Sequence, residues 1–200
     1  MLSPISQLGL TLLELMIALA IAAFLMAMAV PSFSDWIAAA RIRTSAEALL
    51  AGAQLARAEA VKRNALVRFQ LTSTADASCA LSASGNNWVI SLDDPSAACG
   101  ATPSSTAAPR IIQARSGNEG TSNVTVAGLA GTSAASLVRF NGLGQLVAPA
   151  NGFSVQVSLP ASGSCRAAGG DLRCLQVRVS ASGQVKMCDP ALSVSDPEGC

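Results

Sequence analysis

The stretch that decides the class of this chain is LMIALAIAAFLMAMAVPSFS, residues 15–34, twenty residues without a charge. At about 1.5 Å per residue a helix of that length just crosses a bilayer, so the run can anchor the chain. Glu14 stands immediately before it. A carboxylate at the edge of an apolar helix is costly unless something pairs with it, roughly 2.5 to 3.5 kcal/mol at mid-bilayer and less near an end. A secretory signal peptide explains the apolarity, and Ala27-Met28-Ala29 imitates a small-x-small cleavage site that would leave Val30 first. Against it, residues 1–9, MLSPISQLG, hold no Lys or Arg, the run exceeds the 7 to 15 residues of an ordinary signal core, and Glu14 is unexplained. A plain transmembrane anchor accounts for the length and again not for Glu14.

The residues around Glu14 read Gly9-Leu10-Thr11-Leu12-Leu13-Glu14-Leu15-Met16, and this string closely resembles the processing site of type IV prepilins. The resemblance implies cleavage between Gly9 and Leu10 by a prepilin peptidase and methylation of the new N-terminus at Leu10. It also implies that Glu14, fifth from the cut, pairs with the N-terminal ammonium of a neighbouring subunit during filament assembly. Pro31, twenty-second from Leu10, matches the helix-loosening proline that pilin helices carry; proline removes one backbone bond and kinks a helix interior. Two departures stand out: Leu10 occupies a position where the family usually has Phe, and the leader lacks the usual basic residue. The implied partners are the peptidase, other minor and major pilins and the inner membrane, with the head on the periplasmic side before incorporation into a pilus-like filament.

Past the apolar run, Ile42, Ala46, Leu49, Ala53, Ala56 and Ala60 recur at spacings of four and three, the stripe of an amphipathic helix. Arg43 with Glu47, and Glu59 with Arg63, are four apart and support its polar face, each pair contributing about 0.2 to 0.5 kcal/mol. A helix over 10–63 would be roughly 80 Å long. The expected organisation is a leader over 1–9, a membrane and filament-core helix over 10–35, and a head over 36–200 that includes the amphipathic half of the helix.

Beyond residue 64 the sequence predicts strands over 65–72, 87–92, 109–115, 122–127, 135–141, 152–159, 172–180 and 184–188. The clearest is Phe153-Ser154-Val155-Gln156-Val157-Ser158-Leu159, apolar at every second position, as a half-buried strand requires. Leu175, Val177 and Val179 alternate in the same way, and Ser182-Gly183 offers a turn into 184–188, hence a C-terminal hairpin. The connections 94–108 and 116–121 read as exposed loops.

Composition restricts the chemistry. The 200 residues carry a net charge of +1, only 12% charged residues, no His and no Tyr. That removes Ser-His-Asp and Cys-His nucleophile systems and His-based metal sites, and no phosphate-binding Gly-rich loop is present. No enzyme, metal or cofactor is expected. Six cysteines, Cys79, Cys99, Cys165, Cys174, Cys188 and Cys200, lie beyond the apolar run with no Cys-x-x-Cys pair. This suits disulfides in an oxidising compartment such as the periplasm. Six cysteines allow 15 connectivities, and loop lengths favour sequential partners, 79 with 99, 165 with 174 and 188 with 200.

Arg139-Phe140-Asn141-Gly142-Leu143-Gly144 and the ending over 170–190, GDLRCLQVRVSASGQVKMCDP, resemble the FimT/FimU and GspH group of minor pilins and pseudopilins. That implies an α+β fold, a long N-terminal helix packed on an antiparallel β-sandwich-like head. A type IV pilus minor pilin that starts or caps the fibre is the leading functional expectation, a type II secretion pseudopilin the alternative. A third is a DNA-binding pilin of natural transformation, because some FimT-like proteins bind DNA through a basic Gly-Arg-x-Arg turn. Here the turn is Gly183-Gln184-Val185-Lys186, and Arg166, Arg173, Arg178 and Lys186 are the candidate phosphate contacts. Weak binding is expected, since one Lys replaces two guanidinium forks.

Overall fold

The computed structural model describes residues 11–117 and 123–200, the side chains of 27–32 excepted. The chain divides into two compact units, Met1–Ile37 and Ala38–Cys200. One helix, α1, runs Leu12–Arg63 over 52 residues. Its start is fixed by Thr11, whose Oγ1 accepts a bond from the Glu14 N–H at 3.2 Å, one orphan donor of the first turn satisfied. Lys62 and Arg63 close its last turn, where cations favour the helix dipole.

Within the first unit the apolar side chains are solvent-facing, from Leu12 and Leu13 through Phe24, Leu25 and Met26 to Phe33 and Trp36. Among the described residues of that unit, nothing covers them.

Within the second unit the apolar stripe of α1 is buried: Ala38, Ile42, Ala46, Leu49, Ala53, Ala56 and Ala60 all lie in the core. Alanines at most of these positions let the helix lie close to a sheet. Gly52 goes further, because a Cβ there would stand 2.9 Å from the Phe69 ring and 3.1 Å from the Trp88 ring. The helix gives up about 1 kcal/mol of propensity at that glycine and gains the packing of two aromatic side chains.

The strands are β1 Val67–Thr72, β2 Asn87–Ser91, β3 Ile111–Arg115, β4 Thr125–Ala130, β5 Ser133–Ala134, β6 Leu137–Phe140, β7 Leu146–Ala148, β8 Phe153–Ser158, β9 Leu175–Val179 and β10 Val185–Cys188. They form two five-stranded sheets, ordered β3-β2-β1-β6-β7 and β10-β9-β8-β4-β5. All the pairings within these sheets are antiparallel. One core joins the helix stripe to Phe69, Leu71, Trp88, Ile90, Val138 and Phe140 of the first sheet and to Val126, Phe153, Val155, Val157, Val177 and Val179 of the second. The other face of the first sheet holds a smaller cluster of Val89, Ile111, Cys79 and Cys99. The expected α+β architecture, a long N-terminal helix packed on antiparallel sheets, is the architecture found.

The strand expectations differ from the structure at several points. β5 and β7 were absent from the expected set, being two and three residues long with no period to read. The expected strand over 122–127 forms as Thr125–Ala130, because pairing with β8 runs from Thr125 opposite Ser158 to Leu129 opposite Ser154. The strand expected over 172–180 forms only from Leu175 to Val179, since Cys174 is held by the bond to Cys165 and Leu172 bridges to Cys165.

Candidate functional site

At the N-terminus, Thr11 and Glu14 stand in the Thr-x-x-Glu spacing of a capping box, with Thr11 as the cap of α1. The capping role of Thr11 follows from the sequence once the helix start is known; Glu14 alone drew attention to this turn. The Glu14 carboxylate is exposed and forms no ion pair among the described residues. A negative charge in the first turn is stabilised by the helix dipole, typically by about 0.3 to 1 kcal/mol. Gly9 and Leu10, the expected cleavage and methylation positions, lie outside the described residues, as does the side chain of Pro31. Among the described residues no helix is long and apolar enough to cross a membrane; the run over 15–34 includes the side chains of 27–32, which are not described.

The cysteines are joined in sequential pairs: Cys79 to Cys99, Cys165 to Cys174 and Cys188 to Cys200, with Cα–Cα distances of 6.0, 5.4 and 5.1 Å. The first braces the loop over the small cluster on the first sheet. The second closes the entry into β9. The third folds residues 189–200 back beside β10, where the Asp189 N–H donates to the Glu198 carbonyl at 2.7 Å.

That tail determines what the basic residues do. Arg173 donates to Asp189 at 2.9 Å and to Glu198 at 2.6 Å. The Asp189 bond, with Glu198 second, holds the guanidinium pKa above its ordinary value. Arg178 and Lys186 face one another across β9 and β10. Lys186 Nζ donates to the Gly199 carbonyl at 3.1 Å, and Arg178 donates to the backbone oxygen of Cys200. Arg166 sits on a short 3-10 turn and donates to the Asp171 carbonyl at 3.1 Å. Arg178 and Lys186 thus come together with Gln184 in a cleft of about 600 Å³ that Phe153 and Val179 also line, while Arg173 is engaged by carboxylates and Arg166 by a local turn. Among the described residues no cluster suited to a metal ion occurs.

The family described as "Type II transport protein GspH" matches residues 45–183, and "Prokaryotic N-terminal methylation motif" matches residues 5–30. No curated protein matches. Among solved structures, the type IV minor pilin FimU of Pseudomonas aeruginosa is 19% identical, covering 80% of this chain and 94% of that one, with a TM-score of 0.48. Escherichia coli GspH is 15% identical, covering 76% of this chain and 91% of that one, with a TM-score of 0.44. With its family match spanning the second half of α1 and the strands through β9, and its methylation motif lying over the capped start of α1, the chain belongs to the GspH family of pilin-like minor pilins and pseudopilins.

Proposed function

We propose that this chain is a minor pilin that starts or caps a type IV pilus. Prepilin peptidase cuts between Gly9 and Leu10 and methylates Leu10. Residues 10–35 hold the precursor in the inner membrane, the head over 36–200 lies on the periplasmic side, and the subunit then packs with other minor and major pilins. Glu14 supplies the carboxylate that pairs with a neighbour's N-terminal ammonium. The observation that carries this reading is the methylation motif over residues 5–30, coinciding with a capped helix start and an exposed apolar face. Bundled helices would bury that face against one another, which supplies the cover the isolated unit lacks.

Intact-mass and N-terminal analysis of the chain from cells with and without the peptidase tests processing. Methylated Leu10 in the first case and an intact leader in the second are expected; Val30 as first residue would instead establish signal-peptide cleavage. Glu14→Ala and Glu14→Gln should remain in the membrane and fail to enter the filament. Normal incorporation of both would remove the assigned role of Glu14.

The family description favours a second reading, a pseudopilin of a type II secretion system. Deletion separates the two. Loss of surface pili with secretion intact supports the pilus, and loss of exoprotein secretion with pili intact supports the pseudopilin.

A further inference from the structure

Two aromatic side chains at the end of the apolar run are unaccounted for by processing or by the head. Phe33 and Trp36 stack on one another, ring centroids 5.9 Å apart and planes inclined by 26°. Both are largely exposed, 62% and 67%. They are three residues apart, hence on one face of α1, and Met26, seven before Phe33, continues that face. The charge pattern places them: Glu14 and Asp35 bracket an uncharged run, and Arg41 and Arg43 follow.

We infer that Phe33 and Trp36 form the aromatic anchor that seats the precursor helix at the periplasmic headgroup layer of the bilayer. From Leu15, the first residue after Glu14, to Phe33 a helix rises about 27 Å, so with Glu14 at one edge of a hydrocarbon core about 30 Å thick the ring pair stands where hydrocarbon gives way to headgroups. An indole suits that depth. Its ring is apolar and its N–H needs a polar partner, which headgroups and water supply and acyl chains do not. Arg43, seven residues beyond Trp36 in sequence, is exposed and held by Glu47 at 2.8 Å, as suits a residue in water. The ring pair thereby sets the depth at which Asp35 and the charged half of α1 leave the membrane.

This inference rests on the membrane-anchored reading, and the test separates them. The chain has two tryptophans, and Trp88 is only 4% exposed, so Trp88→Phe leaves Trp36 as sole reporter. The full-length variant is reconstituted at low density in phosphatidylethanolamine–phosphatidylglycerol vesicles carrying nitroxide either near the headgroup or deep in the acyl chain. Emission shifted to the blue and quenched several-fold more by the shallow probe is the expected result. Because Trp88→Phe touches the core, the unaltered chain and Trp36→Phe are measured alongside, and the shallow-quenched component must vanish in Trp36→Phe. A chain that sediments apart from the vesicles overturns the anchoring reading itself. A chain that floats with them, yet has Trp36 unquenched or quenched most by the deep probe, overturns the interfacial seat alone.

Discussion

A Cβ on Gly183 would lie 1.8 Å from the carbonyl oxygen of Gly144, so the β9–β10 turn rests directly on the backbone of the β6–β7 turn. The same Gly144 oxygen accepts a bond from Arg57 Nε at 3.1 Å, and Leu146 N–H donates to the Ala181 carbonyl at 3.2 Å. One point therefore ties α1, the first sheet and the second sheet together.

Gly183→Ala is expected to cost about 2 to 4 kcal/mol, because the residue has φ +81° and its new methyl meets backbone that cannot turn aside. Gly131→Asn is the control: φ there is +63°, with nothing within 4 Å of a Cβ, so the change stays within about 1 kcal/mol. Urea midpoints of the two variants give the comparison. Equal midpoints would show that the two turns separate freely.

Gly142, Gly144 and Gly183 show how far the sequence could be read. In the sequence they read as turn residues and nothing local says that two turns from different sheets meet, whereas in the structure a Cβ on Gly142 would also run into Asn64 and one on Gly183 into the Gly144 backbone. The helix stripe and the alternation in β8 and β9 were legible because one face of each is buried and the other wet. β7 was not, since three residues carry no period and its place depends on β6 across a register irregularity. Sequential disulfide pairing followed from loop length, but the tail's bonds to Arg173, Arg178 and Lys186 depend on where the Cys188–Cys200 bond turns the chain. That is tertiary information.

Acid should loosen the head gradually. The bond from Arg63, at 2.6 Å, holds the Glu59 pKa below its ordinary value, and the bonds from Arg110 do the same for Asp93. With folded pKa values below the unfolded ones, their stabilisation is fully present above the usual carboxylate range and is lost as pH falls through the lowered values. No His is present, so no side chain with an ordinary pKa near neutrality adds a step there. Urea midpoints should be flat near neutrality and decline below about pH 4.5. Glu59→Gln should remove less than about 1 kcal/mol at neutral pH, and its midpoint should decline less in acid.

Gln70 sits on the central strand β1, fully buried, directly opposite Val89 on one side and Leu137 on the other. Among the described residues neither its Oε1 nor its Nε2 has a hydrogen-bond partner. An unsatisfied buried amide costs about 1 to 3 kcal/mol, and an apolar side chain of similar shape avoids that cost. Gln70→Met is therefore expected to raise the thermal midpoint by several degrees. A lower midpoint would show that Gln70 is satisfied by an internal water whose bonds the substitution removes.

For DNA, the arrangement of the tail predicts weak binding. Of the four candidate contacts, Arg173 is engaged by Asp189 and Glu198, and Arg166 is bonded to the carbonyl of Asp171. Only Arg178 and Lys186 share a cleft, and both already bond oxygens of residues 199 and 200. Each neutralised phosphate contributes about 0.9 to the log–log salt slope, so two cations allow a slope of at most about 2. The full chain in detergent is titrated with duplex DNA at two salt concentrations, beside Lys186→Ala, Gln184→Arg and Glu198→Gln. Gln184→Arg should tighten binding by adding a guanidinium at the turn, and Glu198→Gln by releasing part of Arg173. Joint replacement of Cys188 and Cys200 by Ser should have the larger effect, because it frees residues 189–200 and uncovers three cations together. Tight, steeply salt-dependent binding by the unaltered chain, abolished by Lys186→Ala, would show instead that the tail yields to phosphate, and would put DNA uptake ahead of filament initiation.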